Sequence, residues 1–128
     1  MSGAVLDAGA LFAFERNERR VVAIIARALQ HQDPLVVPAG VVAQTWRDGS
    51  RQARLARLLG SPLCEVVPLD DRGARSVGQL CGVSGTADIV DASVAIVGRQ
   101  RVLRVLTSDP DDLAALLDGR GDVRIVRV

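Results

Sequence analysis

Two aspartates follow short apolar runs at positions where a carboxylate could do chemistry. Asp7 directly follows Ala4–Leu6, and Asp109 closely follows Val102–Leu106. Runs this short and apolar predict buried strands of a parallel sheet, and ligands bind such sheets outside the carboxyl ends of the strands. We therefore expect Asp7 and Asp109 to lie on one edge of the sheet. Carboxylates gathered there would bind a hard divalent cation such as Mg²⁺.

Asp88 and Asp91 lie three residues apart in a predicted helix, so they share one face of it. The rest of that segment, Ala87–Val97, is almost wholly apolar, which predicts a buried helix. Burying an unpaired carboxylate costs roughly several kcal/mol, so Asp91 needs a cation or a hydrogen-bonding partner. The chain has no Lys, and the nearest Arg in sequence is Arg99. A metal ion shared with the other carboxylates would meet this need.

Each of these aspartates also has a purely structural explanation. Asp7 and Asp109 precede predicted helices and could cap them, and Asp88 could complement a helix dipole. Asp112, three residues after Asp109, resembles the acidic member of a capping box. The sequence leaves both explanations open, although Asp91 inside an apolar helix favours the metal site.

Apolar runs and helical patterns alternate along the chain, which indicates βα units. The predicted strands are residues 4–6, 35–37, 65–67, 102–106 and 123–128. The predicted helices are residues 8–14, 18–30, 40–46, 51–59, 70–80, 87–99 (capped by Thr86) and 110–117, with a loop at 82–85 and a turn at 118–121. We therefore expect an α/β fold in which one domain, residues 1–128, has a central parallel sheet of about five strands with helices on both faces.

Composition excludes several classes of mechanism. All 16 basic residues are Arg, so a P-loop lysine and a Schiff-base lysine are excluded. Two cysteines are too few for a disulfide framework. The sequence shows neither a signal peptide nor an apolar run long enough to span a membrane, so we expect a cytoplasmic protein without a membrane partner.

Four segments, in this order along nearly the whole chain, carry a resemblance to a known family. They are Val5–Ala8, Val37–Gln44, Ala87–Ala92 and Leu106–Leu113. With these motifs the chain resembles PIN-domain ribonucleases, in particular VapC-type toxins. The resemblance implies an endoribonuclease that uses Mg²⁺ or Mn²⁺. It also implies inhibition by a small antitoxin protein and assembly as a homodimer.

The same resemblance implies roles for individual residues. Asp7, Asp91 and Asp109 match the acids of the family, with Asp88 and Asp112 as further metal-binding candidates. Thr107 matches a common polar position beside the last acid. The proposed chemistry is metal-assisted hydrolysis of an RNA phosphodiester.

One departure from the family's pattern affects the expected activity. Gln44 occupies a position where the family usually has Glu, so the site lacks one negative charge. Asp48, four residues later, would partly substitute if both lay on one helix face. The alternative function is therefore a catalytically weakened module that binds RNA or a protein partner.

Arginines near the middle of the chain could contact the RNA backbone. Arg51, Arg54 and Arg57 are spaced by three residues and follow Arg47. They form either an RNA track, with Arg47, Arg51 and Arg54 as the binding residues, or an ordinary solvated helix face. Aromatic residues are so few that stacking of bases on an aromatic platform is not expected, and Trp46 is expected in the core or an interface.

Phosphotransfer folds that also place Asp after the first strand are a third possibility. Receiver domains and haloacid-dehalogenase phosphatases normally use an active-site Lys, which this chain lacks. The phosphatases also carry a second Asp two residues later, where this chain has Gly9. Both folds are therefore discounted.

Overall fold

A five-stranded, all-parallel sheet forms the centre of the molecule. In this computed structural model, residues 3–118 and 122–128 are described. The strands are β1 (Ala4–Leu6), β2 (Leu35–Pro38), β3 (Cys64–Val67), β4 (Arg104–Thr107) and β5 (Ile125–Arg127). Every residue of β1 and β2 is buried, so helices must cover both faces of the sheet. The α/β prediction is confirmed.

The strand order is β3-β2-β1-β4-β5. The chain lays β2 and β3 on one side of β1 and then crosses over to place β4 on the other side. The order therefore reverses between β1 and β4, which is where parallel sheets form ligand-binding crevices. Leu6 pairs with Leu106 in the register of these two strands, so Asp7 and Thr107 lie side by side at their carboxyl ends.

Seven helices connect the strands within the described residues. They are α1 (Ala8–Glu15), α2 (Arg19–Gln30), α3 (Ala39–Thr45), α4 (Ala53–Leu59), α5 (Asp71–Ser84), α6 (Ile89–Arg101) and α7 (Pro110–Leu117). The helix α6 contacts β1, β2 and β4, and its apolar residues from Ala92 to Gly98 are mostly buried. A Cβ at Gly98 would lie 3.0 Å from Val105 Cγ2, so the missing side chain lets α6 pack closely on the sheet.

Three predicted helix boundaries differ from the structure, each for a local reason. The helix α4 begins at Ala53 rather than Arg51, because residues 48–51 form a turn closed by Arg51 N–H donating to Asp48 O. The predicted loop at 82–85 is wrong, since α5 continues to Ser84 and ends at Gly85, whose φ is 73°. Asp88, not Thr86, caps α6 by accepting from the Asp91 N–H.

The predicted fourth and fifth strands are also shorter than expected. Val102 adopts a left-handed conformation with φ 51° at the end of α6, so β4 cannot begin before the chain recovers at Arg104. The last strand covers Ile125–Arg127 only. The predicted turn at 118–121 lies mostly outside the described residues, which include Asp118 alone of its four positions.

The helices of the described residues differ in length and in apolar character. No single helix there is long and apolar enough to cross a membrane. The pair α5 and α6 reaches the required length and composition together, but the two helices meet at a bend of 109°.

Candidate metal centre at the carboxyl ends of β1 and β4

Asp7 is a buried carboxylate held from two sides. It is 4% exposed, and its Oδ1 accepts the Ala10 N–H at 2.8 Å, which caps α1. The Thr107 hydroxyl provides a second hydrogen bond to the Asp7 side chain. Burial raises the pKa of Asp7 above its usual value, although both hydrogen bonds oppose that effect and the charge of Asp109 adds to it. Asp7 is therefore both a helix cap and part of a larger electrostatic group.

Thr107 joins the ends of β1 and β4. Its side chain is fully buried, and its Oγ1 accepts the Asp109 N–H at 2.9 Å. The Thr107 hydroxyl donates its one proton to Asp7 and accepts the Asp109 N–H, so this buried group has both a hydrogen-bond acceptor and a donor as partners. Thr107 thus fixes the backbone that carries Asp109 relative to the Asp7 carboxylate.

A glycine lets these two chain segments approach each other. A Cβ at Gly9 would lie 2.0 Å from Ser108 Oγ and 2.6 Å from Ser108 Cβ. Any side chain at position 9 would therefore separate the first turn of α1 from the loop after β4. In the sequence, Gly9 argued against a phosphatase. In the structure, the lack of a side chain at Gly9 lets α1 pack closely against Ser108.

The helix α6 brings a second pair of carboxylates to the same edge. Asp88 is exposed and caps α6, and its Oδ1 accepts the Asp91 N–H at 3.0 Å. Burial raises the pKa of Asp91 to about 6, with added contributions from Asp88, Asp7 and Asp109. These contributions show that carboxylates from three distant parts of the chain lie within electrostatic range of one another.

Asp109 and Asp112 stand on the solvent side of this group. Both are exposed. The Asp109 side chain makes no capping hydrogen bond to α7, so its structural explanation as a cap does not hold, whereas it does hold for Asp7 and Asp88. Asp88, Asp91 and Asp112 line one end of a groove of about 980 Å³ along α5, α6 and α7.

Residues 3–118 and 122–128 do not form a complete ion-binding site in this conformation. No three Asp, Glu, His or Cys side chains there lie close enough together to hold one ion as they stand. The donor chemistry nevertheless suits a hard cation, because the converging groups are all carboxylates. One of them, Asp7, is buried, and it accepts hydrogen bonds from backbone N–H groups and a hydroxyl.

Gln44 and Asp48 do not share a helix face. Gln44 is exposed on α3, which ends at Thr45. The chain then becomes extended at Trp46, and Asp48 lies in the following turn, where its Oδ1 accepts from Ser50 N and Ser50 Oγ. The shared helix face, which was the condition for Asp48 to substitute partly for the missing acid, is therefore absent.

The three arginines proposed for RNA contact are all exposed around the turn between α3 and α4. Arg47 donates from Nη1 to Ala43 O and Trp46 O, at 3.0 and 2.7 Å. Arg51 lies in the turn rather than in α4, and its Nε is 3.9 Å from Asp48 Oδ2. Arg54 lies in α4 and donates to Asn17 Oδ1. The predicted helical stripe is thus partly a turn.

Comparison with solved structures supplies a fold-level relationship. A chain of VapBC2 from Rickettsia felis, bound to a promoter DNA fragment, superposes with a TM-score of 0.68 at 10% identity and 98% coverage of each chain. FitAcB from Neisseria gonorrhoeae gives a TM-score of 0.61 at 21% identity and 95% coverage of each chain. VapBC-5 of Mycobacterium tuberculosis gives a TM-score of 0.54 at 27% identity and full coverage of both.

These solved structures are toxin–antitoxin proteins that carry the PIN domain. The chain has the PIN-domain fold. No family model and no curated protein matches the sequence. The relationship is therefore one of fold, visible in the path of the backbone rather than in overall sequence similarity.

Sequence reasoning missed three buried polar residues, Thr45, Gln52 and Ser93, of which Gln52 makes the most side-chain hydrogen bonds. Gln52 is 8% exposed and its amide is fully used. Its Oε1 accepts from Arg47 N and Asp48 N, and its Nε2 donates to Glu15 Oε1 and Thr45 O. A Gln beside a turn gives no sequence signal for such a role, because one of its partners is 37 residues away.

Proposed function

We propose that this PIN domain is a metal-dependent endoribonuclease that hydrolyses phosphodiester bonds in RNA. The observation that carries the proposal is the electrostatic group formed by Asp7, Asp91 and Asp109, in which the pKa of Asp91 reaches about 6. Carboxylates that disfavour one another's ionisation in this way gain from a shared cation. The likeness to toxin–antitoxin PIN domains supports the same reading.

Mg²⁺ or Mn²⁺ is the proposed cofactor, held by Asp7, Asp91 and Asp109 with Asp88 and Asp112 as outer members. When bound, such an ion supplies a water of lowered pKa and stabilises negative charge on the phosphate. Asp109 has no capping bond to α7 to break, and it is exposed, so its carboxylate is available for this purpose.

The chain's own contribution is to orient these groups. The Ala10 N–H and the Thr107 hydroxyl fix the Asp7 carboxylate, and Thr107 also fixes the backbone of Asp109. Arg47, Arg51 and Arg54 are proposed to contact RNA phosphates, since backbone contacts dominate affinity that does not depend on sequence.

Cleavage of structured RNA in Mn²⁺ tests the proposal. We expect cleavage that EDTA abolishes and that Asp7→Asn removes, because a neutral amide cannot hold the ion as a carboxylate does. Asp111→Asn is the matched control, since Asp111 is an exposed acid of α7 outside the group. Equal activity of wild type and Asp7→Asn would contradict the proposal.

The second candidate function is a weakened module that binds RNA or a protein partner, and Gln44 favours it. An exposed amide at this position cannot deprotonate a water and adds no negative charge for the metal. If wild type does not cleave in Mn²⁺ but Gln44→Glu does, the fold has kept the site while this chain has lost the activity.

The proposed partners follow from the same likeness. The R. felis, N. gonorrhoeae and M. tuberculosis structures are VapBC and Fit complexes, which supports a small antitoxin as partner of this chain. Assembly as a homodimer and residence in the cytoplasm are further parts of the proposal. Light scattering of the purified chain alone tests assembly as a homodimer. The same measurement after addition of a candidate small antitoxin protein tests the partner.

A further inference from the structure

The turn between α3 and α4 displays an aromatic ring among basic groups. We define the Trp46 surface as Trp46, Arg47, Arg51 and Arg54. Trp46 is 37% exposed, so it does not lie in the core. The chain has too few aromatic residues for a platform of several rings, but this one ring is accessible to a single base. A Cβ at Gly49 would lie 2.7 Å from Trp46 Cζ2, so the absence of a side chain at position 49 lets the indole lie against the turn.

We propose that the Trp46 surface binds single-stranded RNA by stacking one base on the indole while the arginines contact the neighbouring phosphates. Exposed aromatic rings flanked by positive charge are the usual means of binding single strands without sequence preference. Arg47 and Arg51 lie in the turn and Arg54 in the first turn of α4, whereas the carboxylates nearby are those of Asp48 and of Glu15, which accepts a hydrogen bond from Gln52. This inference rests on the proposed ribonuclease function and adds a location for the substrate.

Hydrogen bonds hold the surface in place before any ligand arrives. Gln52 fixes the turn by accepting from Arg47 N and Asp48 N at 2.8 and 3.0 Å, and it reaches Thr45 O at 2.8 Å. Two hydrogen bonds from Ser50 occupy the Asp48 carboxylate and lower its pKa, so Asp48 pairs only loosely with Arg51. Arg51 therefore remains available to a phosphate, because exposed pairs of this kind contribute little.

The position of the surface suits a substrate that also reaches the aspartates. The helix α3 begins at the carboxyl end of β2, on the same edge as Asp7, and its seven residues span roughly 10 Å before Trp46. A single strand bound at the Trp46 surface would therefore reach Asp7 by continuing along α3.

The fluorescence of Trp46 can report binding at the Trp46 surface, because Trp46 is the sole Trp of a chain without Tyr. The test titrates the intact protein in EDTA with a short oligoadenylate labelled for anisotropy, while tryptophan emission is recorded. We expect quenching of the emission with the same midpoint as the anisotropy change. Trp46→Ala should weaken binding about 10-fold or more, and Trp46→Phe should retain most of the affinity.

Salt dependence separates the arginines from the ring. Arg51→Ala and Arg54→Ala should each reduce the slope of log affinity against log salt by about 0.7, whereas Arg75→Ala, an exposed Arg of α5, should not. Trp46→Ala should weaken binding without changing that slope.

Two results would overturn the inference and leave the proposed function intact. One is cleavage and binding of RNA with unchanged Trp46 emission. The other is emission that varies with protein concentration and not with RNA, which would place the indole in a contact between protein chains. Quenching without cleavage in any metal would instead support the inference and contradict the ribonuclease proposal.

Discussion

Asp91 is a half-buried carboxylate with three other carboxylates nearby, and its ionisation lowers the free energy of unfolding. Its pKa rises from 3.8 to about 6 through burial and the charges of Asp88, Asp7 and Asp109. The folded chain therefore binds this proton more tightly than the unfolded chain does. The associated stability is fully present below about pH 4 and is lost as the pH rises through about 6.

We expect Asp91→Asn to stabilise the metal-free protein at about pH 7, by on the order of 1 kcal/mol after allowance for solvent screening. At about pH 4 the two proteins should differ little, because Asp91 is then protonated. Urea unfolding at both pH values in EDTA measures the difference. Asp111→Asn should change the free energy of unfolding by less than about 0.5 kcal/mol, and a stabilisation by Asp91→Asn that is independent of pH would contradict the assignment.

Thr107 matters through its hydroxyl rather than its volume. Thr107→Val keeps the shape of the side chain but removes a hydrogen bond to Asp7 and the acceptor for Asp109 N–H. Because the site is fully buried, we expect a loss of about 1–3 kcal/mol in the free energy of unfolding. Thr107→Ser, which keeps the hydroxyl, should lose clearly less; equal losses would show that packing, not hydrogen bonding, explains the residue.

At the scale of elements, the end of α6 contains a strained residue. Val102 has φ 51° and is 62% exposed, so a β-branched side chain adopts the left-handed conformation without burial in return. That conformation costs roughly 1–2 kcal/mol for residues with a Cβ. We expect Val102→Gly to raise the free energy of unfolding by about 0.5–1 kcal/mol, since the added flexibility of the unfolded chain offsets part of the gain.

Gly85 provides the opposite control at the end of α5. Its φ is 73°, and no atom lies within 4 Å of the place where a Cβ would be. Gly85→Ala therefore adds backbone strain without a clash in the folded chain. It should lower the free energy of unfolding by about 1 kcal/mol, after the reduced flexibility of the unfolded chain offsets part of that strain. Thermal melts of the two variants, Val102→Gly and Gly85→Ala, measure these changes in stability. A destabilised Val102→Gly would show that the valine side chain makes a stabilising contact.

The predicted elements match the structure wherever a pattern of apolar residues is long enough to define a period. All five strands and seven helices occur, because burial on both faces selects short apolar strands and amphipathic helices. Boundaries failed where a single hydrogen bond or φ angle decides them, as at Gly85, Asp88 and Val102. The spacing of apolar residues does not predict the single hydrogen bonds and φ angles that set these boundaries.

Convergence of aspartates was predictable for a different reason. The ends of parallel strands share an edge, so Asp7 and Asp109 had to approach each other once the sheet was inferred. The role of Gln52 could not be predicted, since its partners Glu15 and Thr45 depend on how α1 and α3 pack. The placement of Asp48 on the helix face of Gln44 was wrong because the helical period was continued beyond the end of α3 at Thr45.

At the scale of the whole molecule, the near-zero formal charge of +1 is the sum of local groups of both signs. Carboxylates gather at the edge of the sheet, and exposed arginines surround the turn between α3 and α4. An RNA held by the arginines would still be repelled at the edge by several carboxylates. A divalent ion there would remove the repulsion, so binding of metal and of RNA should favour each other.

Metal binding should therefore stabilise the whole fold. A ligand that binds only the folded state adds about 2.7 kcal/mol at 100 times its dissociation constant. For a chain of this size that corresponds to a rise in melting temperature of about 5–10 °C. We expect Mn²⁺ to produce such a rise in wild type at about pH 7.5, with NaCl at matched ionic strength as control, and EDTA to reverse it.

Variants of the site separate a specific ion from general screening of the acidic edge. Asp7→Asn should lose most of the rise, because it removes the buried carboxylate, whereas Asp111→Asn should keep it. Gln44→Glu should enlarge the rise if the side chain of α3 reaches the ion, since one more negative charge then binds it. A melting temperature unaffected by Mn²⁺ in wild type but raised in Gln44→Glu would mean that the aspartates alone do not hold the ion and that a carboxylate at position 44 is required for metal binding.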